Sequence, residues 1–249
     1  MILKQRPVLY LATFLMVLLA WQISVPLFNI NRTLFPLPMD VIFSFQSADK
    51  LFIDTFSSLT RLFMGSVIGI LSGIAFGLFT GKVDIFSETG GNVANFFRFI
   101  PPLALIPLFL VWFGITEMSK ILLLAWTVFF PVWISTHNGV RNIEKKYLLV
   151  AKSLGLRSYF MLKEVILKGS MPYILSGSRI GVGIGFSVLV AAEMLGAFSG
   201  LGYRIFFLQS VYRIDLMVGY IIILGILGIV FDRIFLLLGN RFVVWKNES

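Results

Sequence analysis

The charged stretch from Arg141 to Lys168 holds the residues best suited to a specific interaction. Seven of its side chains are basic and only two are acidic. The basic residues are Arg141, Lys145, Lys146, Lys152, Arg157, Lys163 and Lys168, and the acids are Glu144 and Glu164. Because Lys and Arg accumulate in the cytoplasmic loops of membrane proteins, this stretch is predicted to lie on the cytoplasmic side.

The same stretch is patterned as a short helix followed by a turn. Tyr147, Ala151 and Leu154 recur at helical spacing and share one face. Gly155 comes next, and glycine is costly in a helix unless the chain turns or another backbone approaches closely. The pattern predicts a helix that enters a groove on another protein. The alternative is an ordinary basic loop that only orients the membrane segments.

Few titratable residues interrupt the apolar segments. Glu193, in the sequence VAAEML, is expected either to form a structural ion pair with Arg204 or Arg213, or to contact a transported substrate. Asp232 and Arg233 are expected to form a pair at the membrane interface.

Several kinds of chemistry are excluded by residue types that are missing. The chain has no cysteine and a single histidine, His137, so thiol catalysis, a His-based metal site and a Ser-His triad are not expected. It also lacks the GxxxxGK[ST] phosphate-binding motif. We therefore expect a non-catalytic chain without a metal or cofactor of its own. Any uphill transport would draw its energy from a partner or from an ion gradient.

The composition is that of an integral membrane protein. Hydrophobic residues make up 58% of the 249 residues and charged residues only 13%. The net charge of +9 could suggest nucleic acid, but the basic residues flank apolar segments. Membrane topology and anionic lipid headgroups therefore explain the charge better, and no nucleic-acid partner is expected.

An all-α polytopic protein with about six transmembrane helices is predicted, as one membrane domain covering residues 1–249. Thirteen of the 21 Lys and Arg residues fall on one side if both termini are cytoplasmic, which favours that orientation. Asp49–Ser58 would form a short amphipathic helix along the interface. The predicted spans are Val8–Phe28, Leu59–Thr80, Phe96–Phe113, Ile121–Thr136, Tyr173–Leu195 and Leu216–Gly239.

The third span contains Pro101, Pro102 and Pro107, so it is predicted to be broken. Backbone freed by such a break must be satisfied by protein or by a water-filled cavity, and a translocation pathway supplies one. The third and fifth spans are therefore predicted to line a pathway. Arg98 and Arg179 would either attract an anion there or extend to the interface. The candidate pathway residues are Phe97, Arg98, Pro101, Trp112, Arg179 and Glu193.

Glycine recurs at every fourth position of the second span. Such a stripe lets another helix approach closely within lipid. The fifth span repeats the device at Gly177, Gly181 and Gly185. The stripe of the second span, predicted to serve helix packing, consists of Gly65, Gly69, Gly73, Gly77 and Gly81.

The central charged stretch resembles the EAA loop of permease subunits of bacterial ABC importers. In that family a glutamate and two small residues precede a glycine, and a hydrophobic stretch ending in proline follows. Ala151, Gly155, Val165 and Leu167 match this pattern. The glutamate that would supply one charge contact to the ATPase is missing, whereas the helix and its glycine turn are retained. Three positions depart from the pattern: Leu149 replaces the glutamate, Val150 the first alanine and Lys168 the proline.

The resemblance extends over nearly the whole chain and is closest to the nitrate, sulfonate, taurine and bicarbonate branch. The pieces that carry it, in order, are LFPLPMDV, SLTRLFMGSVIGILSGIAFGLFTG, FRFIPPLALIPLFLVWFGITEMSKI, LGLRSYFMLKEVILKGSMPYILSGSRIGVGIG, VAAEMLGAFSGLGYRI and the terminal Trp245.

The resemblance implies the type I ABC importer permease fold, with a coupling helix in the cytoplasmic loop 141–172, between spans four and five. It implies a bacterial inner-membrane location and four kinds of neighbour: a second copy, two cytoplasmic ATPase subunits that bind ATP and Mg, an extracytoplasmic substrate-binding protein, and lipid. The implied ATPase-coupling residues are Tyr147, Ala151, Leu154, Gly155, Arg157 and Tyr159.

The function expected from the resemblance is ATP-driven import of a small solute, such as a sulfonate, nitrate or bicarbonate. A vitamin precursor of the pyrimidine, thiamine or riboflavin type is the alternative substrate. An ion-coupled secondary carrier and a non-transporting membrane scaffold are the rival classes.

Overall fold

The structure is a computed structural model that describes residues 6–82, 96–97 and 99–242 of the chain. Within that part every regular element is a helix, and there is no strand. A 3-10 turn at Phe45–Ser47 follows α2, and another at Pro102–Leu105 precedes α4. The helices are α1 (Arg6–Leu27), α2 (Pro38–Ser44), α3 (Leu51–Lys82), α4 (Ile106–Phe113), α5 (Glu117–Arg141), α6 (Lys145–Ser153), α7 (Ser158–Gly196), α8 (Leu201–Ser210) and α9 (Ile214–Phe242).

Four helices in the described part of the chain, α3, α5, α7 and α9, are long and apolar enough to cross a membrane. Two shorter apolar stretches, Leu15–Leu27 in α1 and Pro102–Phe113 around α4, coincide with the first and third predicted spans. The first turns of α7 include a π-helical segment at Met161–Leu167, after which the α-helix runs over Lys168–Gly196.

The centre of the fold is α5, which lies between α3 and α7. Every glycine of the α3 stripe faces α5 so closely that a side chain would overlap it. A Cβ atom at Gly65 would lie 2.4 Å from Leu124 Cβ, and one at Gly77 would lie 2.4 Å from Thr136 Cβ. On the other side of α5, a Cβ at Gly177 would lie 2.5 Å from Ser135 Cβ. The two glycine faces therefore allow three long helices to pack at very short distances.

The predicted surface helix Asp49–Ser58 is wrong, because α3 begins at Leu51 and continues without interruption. Asp54 and Ser58 are buried rather than placed at an interface. They lie on the face of α3 that carries the glycine stripe further along, so polar residues and glycines form one continuous contact surface.

The third apolar segment is broken at its prolines. Pro101 has an extended backbone, the chain then makes the turn at Pro102–Leu105, and α4 runs from Ile106 to Phe113. Gly114, at φ +71°, then reverses the chain into α5, a conformation that favours glycine. The short helix packs on α5 and α7 through Ile106 and Phe109.

Two helices have much of their apolar surface uncovered by the described residues, although α9 packs on α8 through Leu216 and Tyr220 near its start. Along α1, apolar side chains such as Leu15, Met16, Leu19 and Ile23 are exposed, and the helix contacts its own chain mainly through α2. The most apolar stretch of α9 has no buried residue at all. Both helices therefore present their apolar surface to lipid or to another protein.

Replacing Gly73 with leucine is expected to destabilise the protein. The Cβ atom alone would lie 2.8 Å from Val132 Cβ and 2.9 Å from the Phe129 carbonyl oxygen. Overpacking of this kind costs about 1–3 kcal/mol of the free energy of unfolding, measurable by denaturant titration in detergent. Gly225→Leu in α9 is the matched control, because no atom lies within 4 Å of its Cβ position. Equal stability of the two variants would contradict the close packing of α3 on α5.

Candidate functional site

Opposite the charged loop, at the ends where α3 and α5 begin, charged side chains form an ionic cluster that is largely buried, although Glu117 is more than half exposed. Arg61 lies at its centre and is itself buried. Its Nη1 donates to Glu193 Oε1 at 2.6 Å, and its Nε and Nη2 donate to the two oxygens of Glu117. Lys120 Nζ lies 3.1 Å from Glu117 Oε1. The cluster consists of Asp54, Ser58, Arg61, Glu117, Lys120, Glu193 and Arg204.

Three side chains of the cluster also hold the N-terminus of α8. The amide of Gly200 donates to Asp54, that of Leu201 to Ser58 Oγ, and that of Gly202 to Glu193 Oε2, at 2.9–3.1 Å. The first amides of a helix have no partner within the helix, and negative charge stabilises that end. Here α3 and α7 supply the caps. Arg204 of α8 returns a hydrogen bond to Asp54 at 2.7 Å.

Formal charge in the cluster is balanced. Three cations, Arg61, Lys120 and Arg204, face three carboxylates, Asp54, Glu117 and Glu193. Such a network is costly to assemble away from water and still more costly to break, since a lost partner leaves a buried charge uncompensated. The arrangement joins α3, α5, α7 and α8 rigidly.

The structure changes the expected partners of Glu193. Its side chain is completely buried (0% exposed) and pairs with Arg61, not with Arg204 or Arg213. Arg204 binds Asp54, and Arg213 binds Asp215. An ion pair for Glu193 is thus present with a different partner, because the chain following α7 folds back over it. A contact between Glu193 and a substrate stays a prediction.

Sequence reasoning missed Asp54, Ser58, Arg61, Glu117 and Lys120 as cluster members. A signal was present, since the first three follow one another at intervals of four and three residues. A further step of four residues leads from Arg61 to Gly65 and the rest of the stripe. The three polar residues and the stripe glycines therefore share one helix face. Reading that spacing across the change from polar residue to glycine would have identified the buried face.

At the opposite end of the bundle, α6 occupies the charged loop and ends in a glycine motif. The amide of Gly155 donates to the Lys152 carbonyl oxygen, and that of Leu156 donates to the Ala151 carbonyl oxygen. Gly155 has φ +72°, the left-handed conformation that closes a helix in this way. The predicted helix and turn are therefore both present at the predicted residues.

The apolar residues of α6 divide between two surroundings. Ala151 is 4% exposed and packs inward, whereas Leu154 is 73% exposed. The shared face expected from spacing thus splits at Ala151, because the π-helical start of α7 packs on this side of α6. A further exposed apolar surface extends over the loop, and we call it the loop patch: Tyr147, Leu149, Val150, Leu154, Tyr159 and Phe160.

Charged residues surround the loop patch. Arg157 lies beside the turn as the residue before α7, and Lys145, Lys146 and Lys152 belong to α6. Glu144 hydrogen-bonds Lys146 and raises the pKa of its ammonium group above the usual value. Lys168, at the position of the family's proline, pairs with Glu164 within α7.

The candidate pathway residues are distributed over several surroundings. Phe97 packs among Trp126 and Phe130 of α5, with ring centroids 5.7 and 6.0 Å apart. Pro101 lies at the break, and Trp112 of α4 is exposed. Arg98 lies outside the described residues.

Arg179 does not stand alone in its helix. It pairs with Asp232 of α9, so the expected interfacial pair of Asp232 and Arg233 is replaced by a contact between two helices. The sequence neighbours Asp232 and Arg233 point to different sides of α9, since successive helical residues diverge by about 100°.

A metal site is not apparent in the described residues, where no group of three or more His, Asp or Glu side chains is placed to hold an ion.

The family match and the similar proteins agree on one class, membrane components of transport systems. Residues 51–244 match the family described as "Binding-protein-dependent transport system inner membrane component". A putative aliphatic sulfonates transport permease protein of Bacillus subtilis, SsuC, is 32% identical over 92% of this chain and 84% of its own length. The taurine transport system permease protein TauC of Escherichia coli is 35% identical over 77% of this chain and 70% of its own. The nitrate import permease protein NrtB of a Synechocystis strain is 32% identical over 92% of this chain and 85% of its own length.

Solved structures share the fold. The MetNI methionine ABC transporter in an inward-facing conformation has a chain with a TM-score of 0.67 and 17% identity, covering 78% of this chain and 96% of its own. A chain of an amino acid ABC transporter crystallised with histidines has a TM-score of 0.65 and 20% identity. The match covers 80% of this chain and 97% of that one. The expected importer permease fold is thereby confirmed.

Removing the Glu193 carboxylate is expected to destabilise the bundle strongly. Glu193→Leu leaves Ser58 and the Gly202 amide without their acceptor and takes one carboxylate from the buried Arg61. Breaking a buried pair from one side costs about 3–5 kcal/mol, which unfolding in detergent would measure. Glu164→Leu, which removes an exposed carboxylate from the same helix, is the control and should leave the melting temperature unchanged. A Glu193→Leu protein as stable as the control would show that the cluster does not hold the helices together.

Proposed function

Because the chain belongs to the family of binding-protein-dependent transport system inner membrane components, we propose that it is the permease subunit of an ATP-driven importer for a small anion. The observation that carries the proposal is the loop patch, an apolar surface on a basic loop whose side chains the described residues leave more than half exposed. A transport subunit that is itself non-catalytic requires such a contact with an ATPase, which would bind ATP and Mg.

The loop patch has the properties of a docking surface for that ATPase. An exposed apolar helix with charged residues at its rim is suited to a groove in a partner. Leu149 stands where the family has glutamate and belongs to the patch, so an apolar contact replaces a charged one at this position. The glycine turn at Gly155 holds the patch rigidly between α6 and α7.

The mechanism follows from what joins the patch to the bundle. Closure of the ATPase pair on ATP would displace α6, and Ala151 packs inward, so the displacement reaches α7 directly. Because α7 is bound to α5 and, through the ionic cluster, to α3 and α8, the helices would move together. Alternating access would then result from rigid rotation of the bundle relative to a second copy.

A second copy of the chain is part of the proposal. The support is the exposed apolar surface of α1 and α9, which one chain leaves largely uncovered. An even number of spans places both termini on the same side, and the basic loop favours the cytoplasm for that side. The ends of α3 and α5 that carry the ionic cluster would then face the extracytoplasmic binding protein.

The substrate class is proposed from the relatives. Those named above are permeases for aliphatic sulfonates, taurine and nitrate, all of which are oxyanions or carry one. A small molecule with a sulfonate or similar group is therefore the proposed cargo, delivered by the binding protein and moved through the permease pair.

Charge introduced into the loop patch is expected to abolish coupling. Leu154→Glu changes a side chain that its own chain leaves exposed, so the permease should still insert while copurification with the ATPase and ATP-driven sulfonate uptake into liposomes fall at least about tenfold, as for loss of an interface anchor. Val211→Glu, at an exposed apolar residue near the opposite end of the bundle, is the control for copurification. Normal uptake and copurification of Leu154→Glu would contradict the proposal.

Water access along the broken third span tests the pathway. Because the native chain has no cysteine, Leu103→Cys and Val111→Cys each introduce a single thiol at an exposed position. Both are expected to react with a water-soluble maleimide in at least one nucleotide state, whereas Phe109→Cys, which faces α5, stays protected. If Leu103→Cys and Val111→Cys remain unreactive in every nucleotide state, this segment does not line the route.

A further inference from the structure

A second ion pair lies part-way along α7 and α9, away from the ionic cluster. Arg179 donates from Nε to Asp232 Oδ1 at 2.6 Å and from Nη2 to Oδ2 at 2.9 Å. The two side chains are 44% and 46% exposed. Asp232 thus occupies one edge of the guanidinium group, and within the described residues Nη1 makes no hydrogen bond. One edge of a fixed cation is open.

The pair lies at the depth of the hydrocarbon core. Arg179 sits between Gly177 and Gly181, which pack on the middle of α5. At 1.5 Å of rise per residue it is about 16 Å along the axis from Lys168 and about 21 Å from Glu193. A hydrocarbon core about 30 Å thick therefore encloses it.

Half-exposed charges at this depth are not compatible with contact to lipid tails. Charged residues of spanning helices face a protein neighbour or a water-filled cavity. The face of α7 that carries Arg179 is mixed, since the exposed residues Ser176, Gly183 and Ser187 lie beside exposed Ile180 and Ile184. The ion pair therefore requires that this face of α7 meets a hydrated space or a protein neighbour in the assembled transporter.

A small cavity adjoins the ion pair. Its volume is about 150 Å³, and a cavity of about this size admits a molecule as large as benzene. Two glycines keep it open: a Cβ at Gly183 would meet no atom within 4 Å, and one at Gly228 would meet only the Phe186 ring at 3.9 Å. Besides the ion pair, the cavity is lined by Val182, Gly183, Phe186, Gly228, Phe231 and Phe235.

We propose that Arg179 is the anion-binding residue of a substrate subsite between α7 and α9, with Asp232 as its resident counter-ion. The oxygens of a sulfonate would accept hydrogen bonds from the open edge of the guanidinium group, and the carbon chain would lie against the rings of Phe186 and Phe231. Asp232 neutralises Arg179 while the subsite is empty. It also weakens the hold on an anion, which suits a site that must release its cargo onward.

The proposal deepens the proposed function and rests on it, because the substrate class is the one assigned there. It assigns to Arg179 a direct contact with substrate, and to Asp232 a positioning role exerted through Arg179. It also predicts an order of preference, with anions that carry a short apolar chain favoured over cations of equal size.

A single thiol in the cavity wall tests the subsite by its charge preference. Gly183→Cys is introduced into the otherwise cysteine-free permease, which is reconstituted in liposomes with its copurifying ATPase. Its rates of reaction are measured with sulfonatoethyl methanethiosulfonate and with trimethylammonioethyl methanethiosulfonate. We expect the anionic reagent to be favoured, and added ethanesulfonate to slow both reactions while choline does not.

Variants of the charged residues separate the subsite from a general effect of charge. In the Gly183→Cys background, Arg179→Gln is expected to lower the ratio of anionic to cationic rates at least about tenfold, because a unit charge this close controls the local concentration of ions. Arg179→Lys should keep most of the preference, and Asp232→Asn should raise it. Arg233→Gln is the matched control, because it removes the exposed cation that follows Asp232 in the sequence. It should leave the ratio of anionic to cationic rates unchanged.

The outcomes distinguish the subsite from the proposed function. If the thiol reacts with neither reagent in any nucleotide state, or if Arg179→Gln leaves the ratio unchanged, the subsite is overturned while ATP-driven uptake can still establish the function. Labelling needs no ATP hydrolysis, so a charge preference that persists in a protein without ATP-driven uptake would support the subsite and overturn the importer. Copurification of each variant with the ATPase shows that it is folded.

Discussion

The close packing of α5 between two glycine faces is the interaction on which the rest of this structure depends. Lipid tails are as apolar as leucine, so burial of apolar area drives helix association in a membrane far less than in water. Short interhelical distances and dense van der Waals contact take its place, and they require surfaces without side chains. Along α3 every stripe glycine meets α5, and α7 meets it from the other side. Three helices thereby become one rigid unit.

The ionic cluster continues this contact where the glycines end. Asp54, Ser58 and Arg61 lie on the same face of α3 as the glycine stripe, which begins at Gly65. Charge pairing therefore follows close packing along one continuous surface of this helix. Three cations and three carboxylates satisfy one another, and two of those carboxylates, Asp54 and Glu193, also cap α8. A single face of one helix thus determines both how near its neighbours lie and how the connection between α7 and α9 is held.

Rigidity at the centre contrasts with apolar surface left exposed at the periphery. The loop patch, α1 and α9 each present apolar side chains that the chain does not cover, and the ion pair of Arg179 and Asp232 stands half-exposed at the depth of the lipid core. The loop patch is unfavourable in water and the half-exposed ion pair is unfavourable in lipid, so both favour an assembly, whereas the apolar surfaces of α1 and α9 are compatible with lipid. A rigid bundle with uncovered contacts at the loop and on two helices fits a subunit that transmits movement between partners.

Local properties of the sequence determined much of this protein. Hydrophobic length located the spanning segments, the prolines located the break before α4, the charged loop located α6 and its glycine turn, and the four-residue glycine period located the packing face of α3. Each depends on neighbours within a few turns of the chain. Tertiary structure alone decided which charges meet. Glu193 pairs with Arg61 rather than Arg204, and Asp232 with Arg179 rather than its neighbour, because partners are chosen by the rotation and depth of helices far apart in sequence. Ala151 turns inward for the same reason: spacing defines a helix face, but only the packing of α7 on α6 decides which part of that face is covered.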